Sequence, residues 1–196
     1  MRLHCARSVI LALVAVTASV PLARADDLAW PLESLLRSEL IVVAKVVKVE
    51  AGDPLRFAKL EVIEKWKGRV PDELWVVASP TWTCDHSWAE EGERAVFFLW
   101  SVLDNPRLQQ SLDAGIPDAW AKAGHGGPVF KMWGQGNGRF VLRKREGATF
   151  AEAYAGVVPP KSLKKLPAPP SGTETVSDPY LWWVELAELR RYVVYR

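Results

Sequence analysis

The fold is decided by the stretch IVVAKVVKVE, which runs from Ile41 to Glu50. Six of its ten residues are β-branched, and such side chains pack well on a pleated sheet, so the stretch predicts a long strand. The apolar positions change from one alternating set to the other between Val46 and Val47. Because a change of face within a strand requires an extra residue or a sharp bend, a β-bulge is predicted at this point.

The residues that follow predict an antiparallel partner for this strand. Gly52-Asp53-Pro54 is a turn signal, and residues 57–67 then alternate between two faces. One face carries Ala58, Leu60, Val62 and Trp66, and the other carries Lys59, Glu61, Ile63 and Lys65. Alternation of this kind is typical of an antiparallel strand with one buried face.

Further short strands are predicted at close spacing. Residues 74–78 and 95–100 are apolar throughout, which is typical of strands buried on both faces. Two more predicted strands, 129–133 and 140–145, flank the Gly-rich run 134–138, in which Asn-Gly favours a hairpin turn. A helix is expected between the strands only around residues 118–123. Strands at this spacing favour a small closed β-barrel over a parallel sheet.

Leucines after Pro31 recur at helical spacing, which predicts a short N-terminal helix. These leucines are Leu32, Leu35, Leu36 and Leu40. At the other end, residues 158–179 contain six prolines, three lysines and no aromatic residue, so we expect a Pro-rich linker. A helix over 180–196 should follow the cap signal Asp178-Pro179. Its apolar face should dock on the barrel through Trp182, Leu186, Leu189 and Val193.

A cleavable signal peptide is predicted at the N-terminus. The apolar run 9–22 follows Arg2 and Arg7 and ends at the small-residue triplet Ala23-Arg24-Ala25. At 14 residues the run falls short of the roughly 20 that span a bilayer. We therefore expect cleavage after Ala25, no membrane anchor afterwards, and a periplasmic or secreted protein.

The expected organisation is a signal peptide (1–25), an OB-like barrel domain (26–157), the linker (158–179) and the C-terminal helix (180–196). Cleavage leaves 171 of the 196 residues, about one domain. It also removes three arginines and no acidic residue, so the formal net charge changes from +2 to −1. Without a basic field, nucleic acid is not an expected partner.

Cys84 is the cysteine expected to remain after cleavage, because Cys5 lies in the signal. A lone cysteine cannot form an internal disulfide, so packing must stabilise the domain. As a nucleophile, Cys84 would need a base such as His86 or His125, but no cysteine-protease signature surrounds it. A small, buried or semi-buried residue is the favoured interpretation. The remaining histidines and glycines match no metal or nucleotide motif, so no metal and no cofactor is expected.

The polar loop 79–93 carries two large aromatic residues, Trp82 and Trp88. An indole offers rigid apolar area, so these side chains could stack on a sugar or clamp a peptide. The favoured interpretation, however, is that the loop folds back and buries them. The candidate ligand or partner contacts are therefore Trp82, Cys84, His86 and Trp88.

Four segments of the chain resemble the tissue-inhibitor-of-metalloproteinase-like (TIMP-like), or netrin-module-like, OB-fold proteins. They are SELIVVAKVVKVE from Ser38, KLEVIEKWKG from Lys59, the pair Thr83-Cys84 and GERAVFFLW from Gly92. The resemblance covers about residues 32–100 and implies an OB barrel and an exported setting. The eukaryotic inhibitors bind the protease zinc through an N-terminal cysteine and carry several disulfides. Here the expected mature N-terminus is Asp26 and one thiol remains, so that mechanism is not implied.

Together these features predict an exported, non-enzymatic binding or interaction module that uses loops at one end of a TIMP-like OB barrel. Its partner would be an extracytoplasmic protein or a polysaccharide. A second hypothesis is an OB protein that binds oligosaccharides or single strands through its loop tryptophans, although the mature charge argues against nucleic acid. A third is a cysteine-dependent enzyme using Cys84, against which the missing signature argues.

Overall fold

The computed structural model describes residues 30–52, 54–79, 87–102, 115–134, 136–154, 156–167 and 181–195. This part of the chain is mainly β, as predicted. Its elements are β1 (Trp30–Pro31), α1 (Leu32–Leu35), β2 (Leu40–Ala51), β3 (Arg56–Lys67), β4 (Leu74–Val77), β5 (Arg94–Ser101), α2 (Ile116–Lys122), β6 (Val129–Met132), β7 (Arg139–Arg145), β8 (Ala148–Tyr154), β9 (Val157–Val158), β10 (Leu166–Pro167), β11 (Leu181–Glu185) and α3 (Leu186–Val194). None of the helices in those ranges is long and apolar enough to cross a membrane.

Strands β2 and β3 form the predicted antiparallel pair. The register shifts between Val46 and Lys48, which confirms the predicted bulge, and it shifts twice more between Ile41 and Ala44. Because of these shifts the predicted face of β3 is wrong at Trp66. Trp66 packs in a different cluster from Ala58 and Leu60. At the start of the pair, Leu40 belongs to β2, and the N-terminal helix is the single turn α1.

Nine strands form one sheet in the order β10-β11-β8-β7-β5-β2-β3-β4-β6, and β6 pairs with β5 as well. The pairings β5–β2–β3–β4–β6–β5 therefore return to their starting strand. Within this circuit β4 and β6 run parallel and the other pairs are antiparallel. Strand β5 contacts partners along both edges, and its residues from Ala95 to Leu99 are fully buried, as predicted for a strand without a polar face.

The predicted hairpin between β6 and β7 is wrong. Both strands pair antiparallel with β5, Met132 opposite Leu99 and Arg139 opposite Phe97, so the chain continues in one direction. Trp133 and Gly138 close a turn between the two strands, because Gly138 N donates to Trp133 O at 2.8 Å. A Cβ on Gly138 would lie 2.9 Å from the Phe98 carbonyl oxygen, so this close approach requires glycine. Strands β6 and β7 run in the same direction because both pair with β5, and β5 is distant from them in the sequence.

Buried side chains form three clusters around the sheet. The first lies inside the circuit of pairings and includes Val42, Leu60 and Phe97. A second packs α1 and α3 against β7, β8 and β11, and a third packs α2 against β4 and the start of β3.

The predicted C-terminal helix is wrong at its start. Residues 181–185 form β11, which pairs with β8 and β10, and the helix begins only at Leu186. Trp182 is therefore a strand residue, 1% exposed, and its Nε1 donates to Val157 O at 2.9 Å. Alternation explains the strand: Trp182 and Val184 enter the core from one face. As expected, Leu189 is buried and Leu186 and Val193 pack beside it.

The predicted linker is wrong over its first part. Val158 lies in β9, Leu163 is buried in the core, and Leu166–Pro167 forms β10 at the edge of the sheet. An edge position suits Pro167, which has no N–H to donate. Residues 168–179 of this segment, and residues 1–29 with the expected signal peptide, lie outside the described residues.

Candidate functional site

Among the four candidate contact residues, Trp88 is the one that the structure describes, and Trp82, Cys84 and His86 lie outside the described residues. Trp88 is 48% exposed, so the favoured interpretation, in which the loop buries this side chain, is wrong for Trp88. The guanidinium carbon of Arg56 lies 5.1 Å from the centroid of the Trp88 ring, which is a cation–π distance. Trp88 thus presents an indole at the first residue of β3.

The neighbours of Trp88 explain why its side chain points outward. Ser87 and Ala89 are fully buried on either side of it, and Ala89 packs into the cluster inside the circuit of pairings. The start of the same loop is tied to Arg56, whose N–H donates to Ser79 Oγ at 2.6 Å. Both ends of the loop are therefore anchored to the sheet, and Trp88 is left at the surface.

A second contact joins the same hairpin to another loop. The Glu50 carboxylate, at the end of β2, lies with Oε2 2.5 Å from His125 Nε2. Lys48 also pairs with Glu50. Hydrogen bonds from Lys48 and from His125 hold the pKa of the Glu50 carboxyl below its usual value. The carboxylate is therefore ionised at neutral pH and holds the His125 loop against the hairpin.

Two buried indoles position the His125 ring. The imidazole stacks on Trp120, with ring centroids 4.2 Å apart and planes 11° from parallel, and lies 4.7 Å from Trp75. Trp120 packs on Phe57 of β3 and donates its Nε1 to Gly127 O at 3.1 Å. Because Trp75 and Trp120 are 4% and 3% exposed, they support His125 from beneath and offer no open ring face.

An ion pair lies next to these indoles, between β3 and the residue before β4. The Lys59 ammonium pairs with Glu73 and lies 5.7 Å from the centroid of the Trp75 ring. Trp75 donates its Nε1 to the other oxygen of Glu73 at 3.3 Å. Hydrogen bonds from Lys59 and from Trp75 lower the pKa of the Glu73 carboxyl. An ammonium thus binds here between a carboxylate and an indole.

We call Glu50, Arg56, Trp88, Trp120 and His125 the hairpin-end site. Its two contacts are close in register, because Ala51 pairs with Arg56 and Glu50 with Phe57. The loop before β5 and the loop before β6 therefore meet the same hairpin. The described residues contain no group of three or more His, Cys, Asp or Glu side chains that could hold a metal ion.

From the sequence, His125 is a candidate base for Cys84, its Gly-rich surroundings match no metal or nucleotide motif, and neither Glu50 nor Arg56 is identified. A histidine between glycines, in Gly124-His125-Gly126-Gly127, is the signal that could have drawn attention to the second loop. Its partner Glu50 is 75 residues away, so their contact depends on the fold. Comparison of the chain with protein-family models, with curated proteins and with solved structures gives no match.

Proposed function

We propose that the chain is an exported, non-enzymatic binding module with a TIMP-like OB barrel, and that its hairpin-end site contacts an extracytoplasmic protein. The observation that carries the proposal is the meeting of two loops on one hairpin, through Trp88 on Arg56 and His125 on Glu50. An exposed indole, a guanidinium and an imidazole–carboxylate pair are groups that recognise protein surfaces.

The strand pairings support an OB-like barrel. Five strands, β2 to β6, pair in a circuit that includes one parallel pair, β4–β6. OB barrels have five strands and bind ligands on the face of the second and third strands, together with the loops after the first and fourth. Counting from β2, those parts are β3, β4, the turn 52–55 and the loop 102–128. In the hairpin-end site, Trp120 and His125 belong to the described part of this loop, Glu50 and Arg56 lie in the strands on either side of this turn, and Trp88 lies in the loop before β5.

The burial and contacts of the described tryptophan rings near the site favour a protein partner over a polysaccharide. Sugar-binding sites need an open aromatic face on which a ring can stack. Trp75 and Trp120 are buried, and Arg56 lies over the Trp88 ring. A mixed surface of one exposed indole and several charges is typical of a contact with another protein.

The proposal is tested by capture from the native extracytoplasmic fraction on an immobilised chain. The parent should retain a specific protein, and Trp88→Ala combined with His125→Ala should lose it. Tyr195→Ala is the matched control, because Tyr195 is an exposed aromatic residue just beyond α3. Capture of a polysaccharide would favour the oligosaccharide hypothesis, and equal capture by the parent and both variants would contradict the assignment of the site.

A further inference from the structure

A cavity of about 620 Å³ opens beside the hairpin-end site, between the turn 69–73 and the loop 126–128. Leu40, Val70 and Phe130 form its apolar floor. Leu40 and Phe130 belong to the cluster inside the circuit of pairings, and Val70 packs against that cluster. The cavity, which we call the floor groove, therefore reaches from the surface to the apolar interior.

The rim of the floor groove carries more negative than positive charge. Three carboxylates, Glu39, Asp72 and Glu73, face one guanidinium, Arg69. Glu39 is fixed at the rim because its Oε2 accepts a hydrogen bond from Ser101 N at 3.2 Å, and Asp72 lies exposed on the turn. An apolar floor below an acidic rim complements a ligand that is apolar along its length and cationic at its end.

Two residues that line the floor groove already bind an ammonium group. Lys59 places its ammonium between Glu73 and the Trp75 ring, and both of these residues line the groove. Gly126 also lines the groove, and a Cβ built on Gly126 meets no heavy atom within 4 Å. At this position of the lining, no side chain among the described residues occupies the space next to the groove.

We propose that the floor groove binds a lysine side chain of the partner protein. The aliphatic stem lies on Leu40, Val70 and Phe130, and the ammonium is held between Asp72 and Glu39. The inference rests on the proposed function and names the chemistry that the partner must present. Since the rim charges are exposed and negative charge exceeds positive charge, screening weakens the net attraction and binding weakens as salt is added.

The probe for this groove is n-hexylammonium, titrated into the ¹⁵N-labelled chain and followed by amide chemical shifts. We expect saturable shifts at Val70, Asp72 and Phe130, much weaker shifts with hexanol and none with hexanoate. Asp72→Asn should weaken hexylammonium binding two- to five-fold, the range of an exposed ion pair. Glu90→Gln is the control, because it removes the same charge from the rim of a different cavity.

Binding of hexanol or hexanoate as strong as that of hexylammonium, or equal weakening by Glu90→Gln, would overturn the inference. A second variant, Gly126→Leu, adds a large side chain to the lining of the floor groove. It should abolish both hexylammonium binding and partner capture, and the melting temperature should stay unchanged. If it blocks the probe but captures the partner as the parent does, the groove does not take the partner's lysine and the inference is wrong. The titration needs no partner, so its failure is distinguishable from a failure of the capture experiment.

Discussion

Trp182 is the residue whose removal tests most directly how the C-terminal segment joins the sheet. It is 1% exposed, lies edge-on to Phe140 at 6.0 Å between ring centroids, and donates its Nε1 to Val157 O. Burying an indole removes roughly 200 Å² from water, worth about 5 kcal/mol at about 25 cal/mol per Å². Trp182→Ala should therefore lower the free energy of unfolding by about 3 to 5 kcal/mol.

The measurement is equilibrium unfolding in urea. With an m-value of about 2 kcal/mol per M, a loss of 4 kcal/mol moves the midpoint down by about 2 M. Trp88→Ala is the control for removing a tryptophan. That side chain is half exposed and contacts Arg56 by a cation–π interaction, so its loss should cost less than about 1.5 kcal/mol. Equal small losses for both variants would refute the docking of β11 between β8 and β10.

Three other predictions concern charge, chemistry and processing. Burial raises the pKa of the Glu93 carboxyl against the opposing effect of Arg139. The folded state therefore binds the carboxyl proton more tightly than the unfolded state does. The stability that this protonation contributes is lost as pH rises from about 4.5. Glu93→Gln should therefore show a flatter fall of the urea midpoint than the parent between pH 4.5 and 7, and identical curves would contradict this. Cys84→Ser should leave partner capture within a few-fold of the parent, whereas a loss of several orders of magnitude at an unchanged melting temperature would favour the enzyme hypothesis. Intact mass of the exported protein should place its first residue at Asp26, and a membrane-bound product that keeps Met1 would contradict the signal peptide.

Elements with strong local patterns were predictable from the sequence. The alternation in β3 predicts an antiparallel strand with one buried face, and the unbroken apolar run of β5 predicts a strand buried on both faces. The structure contains both strands. Strand β8, with the sequence ATFAEAY, was missed because its inward residues are alanines, whose strand signal is weak. Its partner β11 was assigned to the following helix, because a short apolar run fits either period and only pairing with β8 decides between them.

The site was predictable only in part. The sequence identifies Trp88 because a large aromatic residue in a polar loop is hard to place, but the burial that the sequence favoured for this side chain is wrong, since it is half exposed. The pairing of Glu50 with His125 joins a strand end to a distant loop, and no local pattern contains both residues. The contact follows from the packing of α2 on β3, which brings Trp120 and then His125 to the hairpin.

The bulge in β2 links the first sequence pattern to the site. Val46 packs inside the circuit of pairings, and strict alternation would then turn Lys48 and Glu50 inward with it. The register shift between Val46 and Lys48 reverses this, so that Val49 packs against the interior cluster and Glu50 faces His125. Burying the Lys48–Glu50 ion pair in the apolar cluster would cost several kcal/mol of desolvation, so the extra residue is required to keep this end of the hairpin polar. The change of face that marks the decisive strand in the sequence is therefore also what places Glu50 at the surface, where it can hold the His125 loop.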